Sequence, residues 1–318
     1  MNTYRWGMIG LGDIATHFAA GFASDASELY GVSARRYPKV QAFAKRFSIP
    51  QAYESPEAML ADPKIDIVYI AVPNHIHYHY IMAALQAGKH VLCEKAITTS
   101  KDELADALAL AKEKELILEE AMTIFNLPLY QQLKEIIASG KLGKLKMIQA
   151  PFGSYKEPDP ENRFFNPDLG GGALLDIGTY AVSFARFFMS EAPEVIFSSM
   201  KPFETGVDEQ SVTILRNRAD EMASVTLTFQ ATMPQTGIVA FEEGYITIDD
   251  YNRADKATIH YRDGSHEFIE TGDTSQSLNY EVANMIKTIE GTSTGSIQLT
   301  SDVIDVLDQM QHFWRQAN

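Results

Sequence analysis

Three side chains that can carry or move a proton stand in two short segments of the chain. Asp176 and Tyr180 lie four residues apart in GGGALLDIGTY, residues 170–180, and this spacing places them on one face of a helix. Lys95 directly follows the apolar run HVLCE, residues 90–94, which predicts a strand. At the end of such a strand its ammonium group could lower the pKa of a neighbouring hydroxyl. The residue types indicate proton-transfer chemistry, provided that the fold positions these segments suitably.

A glycine loop near the N-terminus indicates a dinucleotide site. The apolar segment YRWGMIG, residues 4–10, runs into GLGDIA, which has the spacing G-x-G-x-x-A. In that pattern Gly10 permits a tight turn and Gly12 lets the backbone approach a pyrophosphate. The helix that begins at residue 12 would direct its first amide groups at the phosphates. The predicted contacts of this loop are Gly10, Gly12, Asp13 and Ile14.

The end of the second predicted strand distinguishes between the two nicotinamide cofactors. An NAD site usually has an acidic residue there, which binds the ribose hydroxyls. The sequence GVSARRYPK, residues 31–39, instead has Ser33, Arg35 and Arg36 and no acid. Guanidinium groups match a 2'-phosphate in charge and geometry, so these residues predict NADP(H) over NAD(H), with Arg35 the better arginine. The alternative is that both arginines only solvate the start of a helix.

The order of elements in this chain of 318 residues predicts two domains. Apolar strands alternate with helices over the first 120 residues, which is typical of an α/β fold with a doubly wound parallel sheet. Such a sheet binds ligands at the carboxyl ends of its strands, where Glu94 and Lys95 lie; a surface ion pair is the alternative for these two. The strands are predicted at 4–10, 29–35, 66–72, 90–94 and 116–120, and the helices at 12–24, 37–47, 75–88 and 101–115.

The pattern changes after Pro128, where strands joined by short turns predict a mostly antiparallel sheet. We place the boundary at about residue 122, with an NAD(P)-binding Rossmann domain over 1–122. An α+β domain then covers 123–318, and its C-terminal helix could pack back on the first domain. The strands are predicted near 144–152, 194–200, 208–216, 222–230, 236–241, 245–248 and 256–261, and the helices at 129–139, from 173, at 277–290 and at 300–316; GSHE, 264–267, is predicted to be a loop.

Composition and charge exclude several classes of function. A formal net charge of -15 argues against nucleic acid or an anionic membrane as a general partner. No apolar run approaches the roughly 18 residues of a membrane span, and no targeting segment is expected before the first strand. The one cysteine, Cys93, is expected in the core; it excludes an intramolecular disulfide framework and fits a reducing compartment. We therefore expect a cytoplasmic protein.

The run HIHYH, residues 75–79, raises the question of a zinc site. Only His75 and His79 share a helical face, and no third ligand with a carboxylate is evident nearby. We therefore predict no metal and expect His77 alone to line the cofactor site.

Five segments resemble, in the same order, the motifs of the Gfo/Idh/MocA oxidoreductase family. The tyrosine that ends the last motif is similar to the dihydrodiol dehydrogenase and NADP-dependent D-xylose dehydrogenase branch, whereas inositol dehydrogenases have histidine there. The resemblance covers nearly the whole chain and implies a Rossmann domain followed by a substrate-binding and oligomerisation domain with an open, mostly antiparallel sheet. That sheet often joins subunits, which implies a homodimer or homotetramer. The segments are GLGDIA, AVPNHIH (71–77), AGKHVLCEKA (87–96), EAMTIFNLP (120–128) and GGGALLDIGTY.

The resemblance also implies roles for individual residues. Lys95 matches the lysine of the E-K-P motif, Asp176 the acid of G-G-G-x-x-x-D, and Tyr180 the catalytic phenol of that motif. The glycines before Asp176 are expected to let the backbone pass close to the nicotinamide and substrate. The cofactor contacts implied in the first domain are Ala71, Pro73, Asn74, His77, Glu94 and Lys95.

Two positions depart from the family pattern. Ala96 replaces the usual proline after the lysine, which is expected to loosen the loop rather than to remove chemistry. Phe125 stands where many relatives have an arginine, so a substrate group could lack its partner, and Arg163 in ENRFF could replace it. The predicted substrate contacts are Phe125, Arg163, Asp176 and Tyr180.

Together these residues predict hydride transfer between NADP(H) and an alcohol, hemiacetal or carbonyl carbon of a sugar, diol or polyol. Tyr180 would exchange the hydroxyl proton with help from Lys95, and Asp176 would orient the substrate hydroxyl or the lysine. Two alternatives stay open: a non-catalytic regulator that senses NAD(P), and a sugar–sugar oxidoreductase that holds its cofactor tightly. The joint presence of the three residues favours an enzyme, because a sensor has no chemical need for them.

Overall fold

A computed structural model describes residues 3–317, which divide into two units. The first unit contains the described residues up to Ala121 together with Leu278–Ile297. The second contains Met122–Ser277 and the described residues from Gln298 onward. The segment that the first unit takes from the C-terminal region is therefore the penultimate helix, whereas the last helix belongs to the second unit.

The first unit is built on a parallel sheet with the strand order β3-β2-β1-β4-β5-β6 among the described residues. This is the doubly wound order in which ligands bind where the winding reverses, and it confirms the predicted fold of this region. The strands are β1 (Tyr4–Ile9), β2 (Ser27–Ser33), β3 (Gln51–Tyr53), β4 (Ile67–Ile70), β5 (His90–Glu94) and β6 (Leu118–Ala121). The helices are α1 (Asp13–Gly21), α2 (Tyr37–Phe47), α3 (Pro56–Leu60), α4 (His77–Gln86) and α5 (Lys101–Glu113).

Burial on both faces explains why the central strands are nearly continuous apolar runs. All four residues of β4 and the last four of β1 are buried, as expected for strands covered by helices on each side. Tyr69 in β4 stacks on Phe18 of α1, with ring centroids 3.9 Å apart. The helix that begins at Ser277 adds Val282, Met285 and Ile286 to this core.

The second unit contains a sheet with the strand order β14-β13-β12-β11-β7-β10-β9-β8 among the described residues. β7 and β10 pair in parallel, and the other neighbours pair antiparallel, which confirms the predicted mostly antiparallel sheet. The helices of the remaining chain are α6 (Thr123–Asn126), α7 (Pro128–Ala138), α8 (Thr179–Phe188), α9 (Ser277–Ile289) and α10 (Ile297–Ala317). The strands are β7 (Leu145–Gly153), β8 (Glu194–Pro202), β9 (Asp208–Arg216), β10 (Met222–Thr228), β11 (Gly237–Phe241), β12 (Gly244–Ile248), β13 (Lys256–Tyr261) and β14 (His266–Glu270).

The last helix packs within the second unit through one apolar stripe and several polar contacts, among them a hydrogen bond of 2.9 Å from the Val195 amide to Gln309. Arg186 donates to Asp302 at 2.7 Å, and the indole nitrogen of Trp314 donates to the Ser198 hydroxyl at 2.8 Å. Val303, Ile304, Val306, Leu307 and Met310 are buried along this helix. Across the described part of the chain, α10 included, no helix has the length and apolar character that a membrane span requires.

Several elements differ from the prediction, including the short helices α3 and α6, which were not predicted. β3 was missed because three residues, the first of them exposed, are too few to show a period. The predicted loop at 264–267 is wrong in its second half, since β14 begins at His266; this edge strand buries only Ile269 and therefore lacks an apolar pattern. The helix expected from residue 173 begins as a π-helical turn, Leu174–Gly178, before α8.

A buried carboxyl group anchors the segment that leads into α10. Glu119 in β6 accepts hydrogen bonds from the Ser296 amide at 3.0 Å and the Ser296 hydroxyl at 2.9 Å. Gly295 makes this approach possible, because a Cβ there would overlap the Glu119 carboxyl group. Burial raises the pKa of Glu119 to about 7, against the opposing effect of the hydrogen bonds from Ser296 and Ile297.

The raised pKa of Glu119 predicts a specific loss of stability as the pH rises. Between about pH 4.5 and 7 the folded chain keeps a proton that the unfolded chain has released, so the free energy of unfolding falls over this range. The loss is on the order of 3 kcal/mol and is complete above the folded-state pKa. Glu119→Gln, which cannot ionise, should lose less stability between pH 5 and 8 in urea unfolding. Equal losses in both proteins would contradict the prediction.

Candidate active site

One group of predicted site residues lies at the junction where β1, β2 and β4 end. The Gly10 amide donates to the Ser33 carbonyl at 3.1 Å, and the Ala71 amide donates to the Ile9 carbonyl at 2.8 Å. Gly10 has a φ of +121°, and a Cβ at this position would overlap the Ala71 carbonyl group. Only glycine therefore allows the tight turn here, as the G-x-G-x-x-A spacing predicts for Gly10.

The start of α1 fits a bound phosphate group. Gly12 is the N-cap residue, and no side chain caps the helix there. A Cβ on Gly12 would meet no atom within 4 Å, so the backbone faces open space. Amide groups at an uncapped helix N-terminus suit an anion, and Asp13 and Ile14 supply the first of them.

The end of β2 holds the three residues predicted to select the cofactor. Ser33 is fully buried, and its hydroxyl has no hydrogen-bond partner among residues 3–317. Arg35 and Arg36 are exposed, and within the described residues no carboxylate forms an ion pair with either guanidinium group. The two cations are therefore accessible at this strand end, whereas the Ser33 side chain is enclosed; the assignment of all three to the cofactor stays a prediction.

His77 connects two of the loops that carry predicted cofactor contacts. Its Nδ1 lies 2.8 Å from the Ala96 carbonyl oxygen, and its Nε2 lies 2.8 Å from the Val72 carbonyl oxygen. Burial, with a smaller effect of the Lys95 charge, lowers the pKa of His77. A neutral imidazole donates to one of these acceptors at a time. His77 is completely buried, so the structure shows it holding the loop of Pro73 to the loop of Lys95, and its contact with a cofactor stays a prediction.

A tyrosine that the sequence prediction missed supports the end of β5. The hydroxyl of Tyr69 donates to Glu94 Oε1, and burial followed by the Glu94 charge raises the pKa of Tyr69, so it remains a donor. The Glu120 carboxyl group accepts from the Ile97 amide at 3.0 Å and ties down the turn that follows Lys95. A hydroxyl inside the apolar strand DIVYIAV needs a buried partner, and this was the signal that could have pointed to Tyr69.

The glycines of GGGALLDIGTY fit closely against other parts of the second unit. Gly170 ends a short helical turn with a φ of +73°. A Cβ on Gly171 would lie 2.8 Å from the Asn166 carbonyl oxygen, and a Cβ on Gly172 would overlap the Asp208 carboxyl group. The structure thus shows that close packing within the second unit requires these glycines. The expected approach of this backbone to a nicotinamide stays a prediction.

Asp176 and Tyr180 lie on one continuous helical stretch, although it is not uniformly α-helical. Asp176 is in the π-helical turn, whose Thr179 amide donates to the Leu174 carbonyl five residues earlier. Tyr180 is in the first turn of α8, half-buried, with its ring 6.1 Å from that of Phe152. Such π-turns occur frequently at functional sites.

Arg163 lies near Asp176, and the substrate contact predicted for both stays a prediction. Its Nη1 lies 3.9 Å from Asp176 Oδ1, and its guanidinium group lies 4.1 Å from the centre of the Phe164 ring. The Arg163 side chain remains 66% exposed and can meet a ligand. Phe125 is different, because it is buried and stacks on Phe187 in the core of the second unit. Its predicted substrate contact is untested.

The remaining reactive side chains that the structure describes do not form a second centre. His75 and His79 are exposed, and the described residues contain no group of three or more histidine, cysteine or acidic side chains that could hold a metal ion. Cys93 is buried, and burial together with Glu94 and Glu120 raises its thiol pKa well above the usual value. A protonated, enclosed thiol is a poor nucleophile.

Comparison with known proteins identifies the family. Residues 4–122 match the model of the oxidoreductase family with an NAD-binding Rossmann fold, and residues 130–247 match that of the GFO/IDH/MocA C-terminal domain. The chain belongs to the Gfo/Idh/MocA family. The predicted membership is thereby confirmed, and the protein is an oxidoreductase of the NAD(P)-dependent kind.

Relatives within the Gfo/Idh/MocA family carry the names of the predicted branch. Trans-1,2-dihydrobenzene-1,2-diol dehydrogenase of Xenopus tropicalis is 32% identical over 250 residues, 77% of this chain and 74% of that protein. D-xylose 1-dehydrogenase (NADP(+)) 2 of Haloferax volcanii is 31% identical over 280 residues, 87% and 86% of the two chains. Levoglucosan dehydrogenase in complex with NADH and levoglucosan superimposes with a TM-score of 0.88 over 100% of this chain and 98% of its own, at 20% identity, which shows the shared fold.

Proposed function

We propose that this oxidoreductase transfers a hydride between NADP(H) and a CH–OH or carbonyl carbon of a sugar, diol or related polyol. The observation that carries the proposal is the helical stretch with Asp176 and Tyr180, beside the exposed Arg163, in a chain whose first helix begins at an open, uncapped turn at Gly12. The substrate class is supported by the two relatives named for a cyclic diol and for D-xylose.

The first unit supplies the groups that would hold the cofactor. The amides that open α1, beyond Gly12, would bind the pyrophosphate, and Arg35 with Arg36 would bind a 2'-phosphate. Pro73 and Asn74, at the end of β4, and Glu94, after β5, would contact the nicotinamide half. When bound, the nicotinamide provides the hydride chemistry, and the chain provides alignment and the proton path.

Proton transfer is assigned to Tyr180. Its phenol would exchange a proton with the substrate hydroxyl, and the positive charge of Lys95 would favour the phenolate form. Asp176 would orient the substrate hydroxyl or the lysine, and Arg163 would donate hydrogen bonds to oxygens of the substrate, since five N–H donors suit a polyhydroxylated molecule.

The proposal predicts that Tyr180→Phe binds NADPH normally but loses turnover. General acid–base groups contribute about 100- to 10,000-fold, so kcat should fall within that range while the Kd for NADPH is unchanged. Activity is measured as NADPH oxidation or NADP+ reduction with a panel of aldoses, diols and keto sugars, and binding as NADPH fluorescence. Unchanged turnover across pH would remove the proton-transfer role from Tyr180.

The same panel distinguishes the alternative functions. Inactivity of the native protein on every substrate, together with tight NADPH binding, would contradict the proposal and indicate a nucleotide sensor. Cofactor that remains bound through gel filtration, with turnover only when two sugars are present, would indicate a sugar–sugar oxidoreductase instead.

Cofactor preference is tested at the end of β2. Arg35→Gln combined with Arg36→Gln should weaken NADPH binding about 100- to 10,000-fold, because each lost guanidinium group removes a charge-assisted hydrogen bond of about 1.5–3 kcal/mol. NADH binding should change little, since NADH has no 2'-phosphate. Arg46→Gln, an exposed cation at the far end of α2, is the matched control and should behave like the native protein. Equal weakening of both cofactors would contradict the NADP(H) assignment.

We also propose that the open face of the second sheet joins two copies of the chain. Paired residues on this face form a row across five strands: Met222, Met147, Ala240, Tyr245 and His260. Met147 and Tyr245 are each 42% exposed, and Tyr245 stacks on His260 at 4.5 Å. Contiguous apolar surface of this kind is typical of a contact between proteins. The next row adds Phe197, Ile214, Ser224, Gln149, Ile238, Thr247, Thr258 and Phe268.

This interface predicts that Met147→Glu lowers the oligomeric state. Burying an unpaired carboxylate at the centre of an apolar contact is strongly unfavourable, so the variant should elute as a monomer of 35.4 kDa. Leu169→Glu places the same charge on an apolar residue of similar exposure, 40%, away from the sheet, and should leave the mass unchanged. Light scattering after gel filtration gives the masses. A monomeric native protein at micromolar concentration would refute the interface.

A further inference from the structure

Asp208 is a buried acid whose side chain is directed at the start of the catalytic helical stretch. It is the first residue of β9, and its Oδ2 accepts a hydrogen bond from the Leu174 amide at 2.7 Å. The two residues are 34 positions apart in the chain. This distance is typical of a charge-assisted bond to a carboxylate.

The helical stretch has no cap of its own at this end. Ala173, which precedes the π-helical turn, provides no side-chain hydrogen bond, and neither does Gly178 before α8. The first amides of a helix need acceptors, and a carboxylate at this end also interacts favourably with the helix dipole. Asp208 therefore takes the place of an N-cap side chain, although it comes from a different element.

The glycine before Ala173 is shaped to admit this carboxyl group. Gly172 has a φ of +117°, a backbone conformation that side-chain-bearing residues rarely adopt. A Cβ at Gly172 would overlap Asp208 Oδ1, so any larger residue would displace the carboxyl group or the turn. The position of the Asp208 carboxyl group thus depends on the glycine at 172.

We propose that Asp208 is a positioning residue for the reaction, and that its hydrogen bond to the Leu174 amide fixes the turn from which Asp176 and Tyr180 project. The inference rests on the proposed function of Tyr180. Asp208 itself lies one step away from the chemistry, because it acts on backbone rather than on substrate. A misplacement of about 1 Å at a reacting group can lower turnover about 100-fold, so a fixed turn matters.

The strength of the hydrogen bond from the Leu174 amide to Asp208 depends on the charge of Asp208, and therefore on pH. Burial raises the pKa of Asp208 to about 7, against the opposing hydrogen bonds from the Leu174 and Ala173 amides. The charged groups on the adjoining segments pair with each other: Asp176 with Arg163 at 3.9 Å, and Glu209 with Lys201. Ionised Asp208 is the stronger acceptor, so the turn is held more firmly above about pH 7 than below it.

The test is the pH dependence of kcat in Asp208→Asn, measured at saturating substrate and cofactor. In the native protein kcat should rise through about pH 7, whereas the variant should lose this rise. At pH 8 its kcat should be about tenfold below the native value and close to the native value at pH 6, since a charged acceptor bonds roughly twice as strongly as a neutral one. The Kd for NADPH should stay within twofold. Ser211→Ala, a buried residue on the same strand whose hydroxyl has no partner among the described residues, is the matched control and should keep native kcat.

Gly172→Ala provides a second, independent approach to the same contact. Its Cβ should displace the Asp208 carboxyl group from the amides that favour its ionised form, lowering kcat and moving the apparent pKa of kcat upward. In the double variant with Asp208→Asn the losses should not add, because both changes break one contact. Additive losses, or a native kcat and pH profile in either single variant, would overturn the proposal. If Asp208→Asn does not fold, the pH profile of Gly172→Ala alone decides.

Tyr180→Phe separates this inference from the proposed function. Lost turnover in Tyr180→Phe with native kcat in both Asp208→Asn and Gly172→Ala would refute only the positioning role. Full turnover in Tyr180→Phe would refute the proton-transfer role, whatever the effect of changing Asp208.

Discussion

Hydrogen bonds from backbone amides to buried carboxyl groups hold the turns on which the rest of this structure depends. Glu120 accepts from the Ile97 amide, Asp208 from the Leu174 amide and Glu119 from the Ser296 amide. These partners are 23, 34 and 177 residues apart, so each bond fixes a turn to a strand formed elsewhere in the chain. Amides removed from water need acceptors, and an acidic side chain is the strongest acceptor available.

Burying these acids costs free energy of desolvation, and a glycine beside each acid leaves the space that its carboxyl group occupies. Glu119 and Asp208 both have pKa values raised to about 7, which shows that desolvation outweighs the stabilisation of their ionised forms by the amides. Gly295 and Gly172 stand beside them, and a Cβ at either position would overlap the carboxyl group. Two glycines that look like simple loop residues are thus required by acids distant in sequence.

The strand ends of the first unit were the most predictable part of the site. Gly10 and Lys95 follow parallel strands, and the carboxyl ends of such strands meet at one edge whatever the details of packing. Alternation of strand and helix was sufficient to predict this edge. The side chains that support this edge were harder to predict. Tyr69 contacts Glu94, and His77 contacts the Val72 and Ala96 carbonyls. No local sequence pattern reveals such contacts.

In the second unit the sequence predicted the strands with alternating burial and the helix that carries Asp176 and Tyr180. It did not predict β14, whose exposed face obscures the period, or the π-helical turn. It also did not predict that Phe125 packs on Phe187, because the burial of a short helix depends on what covers it.

The sequence by itself determined the family, the doubly wound sheet and the positions of Lys95, Asp176 and Tyr180, since periodicity and motif spacing are local properties. Only the tertiary structure decided which groups support them. Asp208 meets Leu174 because β9 and the turn before α8 are packed together, and Glu119 meets Ser296 because the chain returns to the first unit near its end. Such contacts form only when a long stretch of chain closes into a loop. The free energy of closing that loop depends on its length, so the residues at its two ends carry no local sequence pattern that predicts the contact.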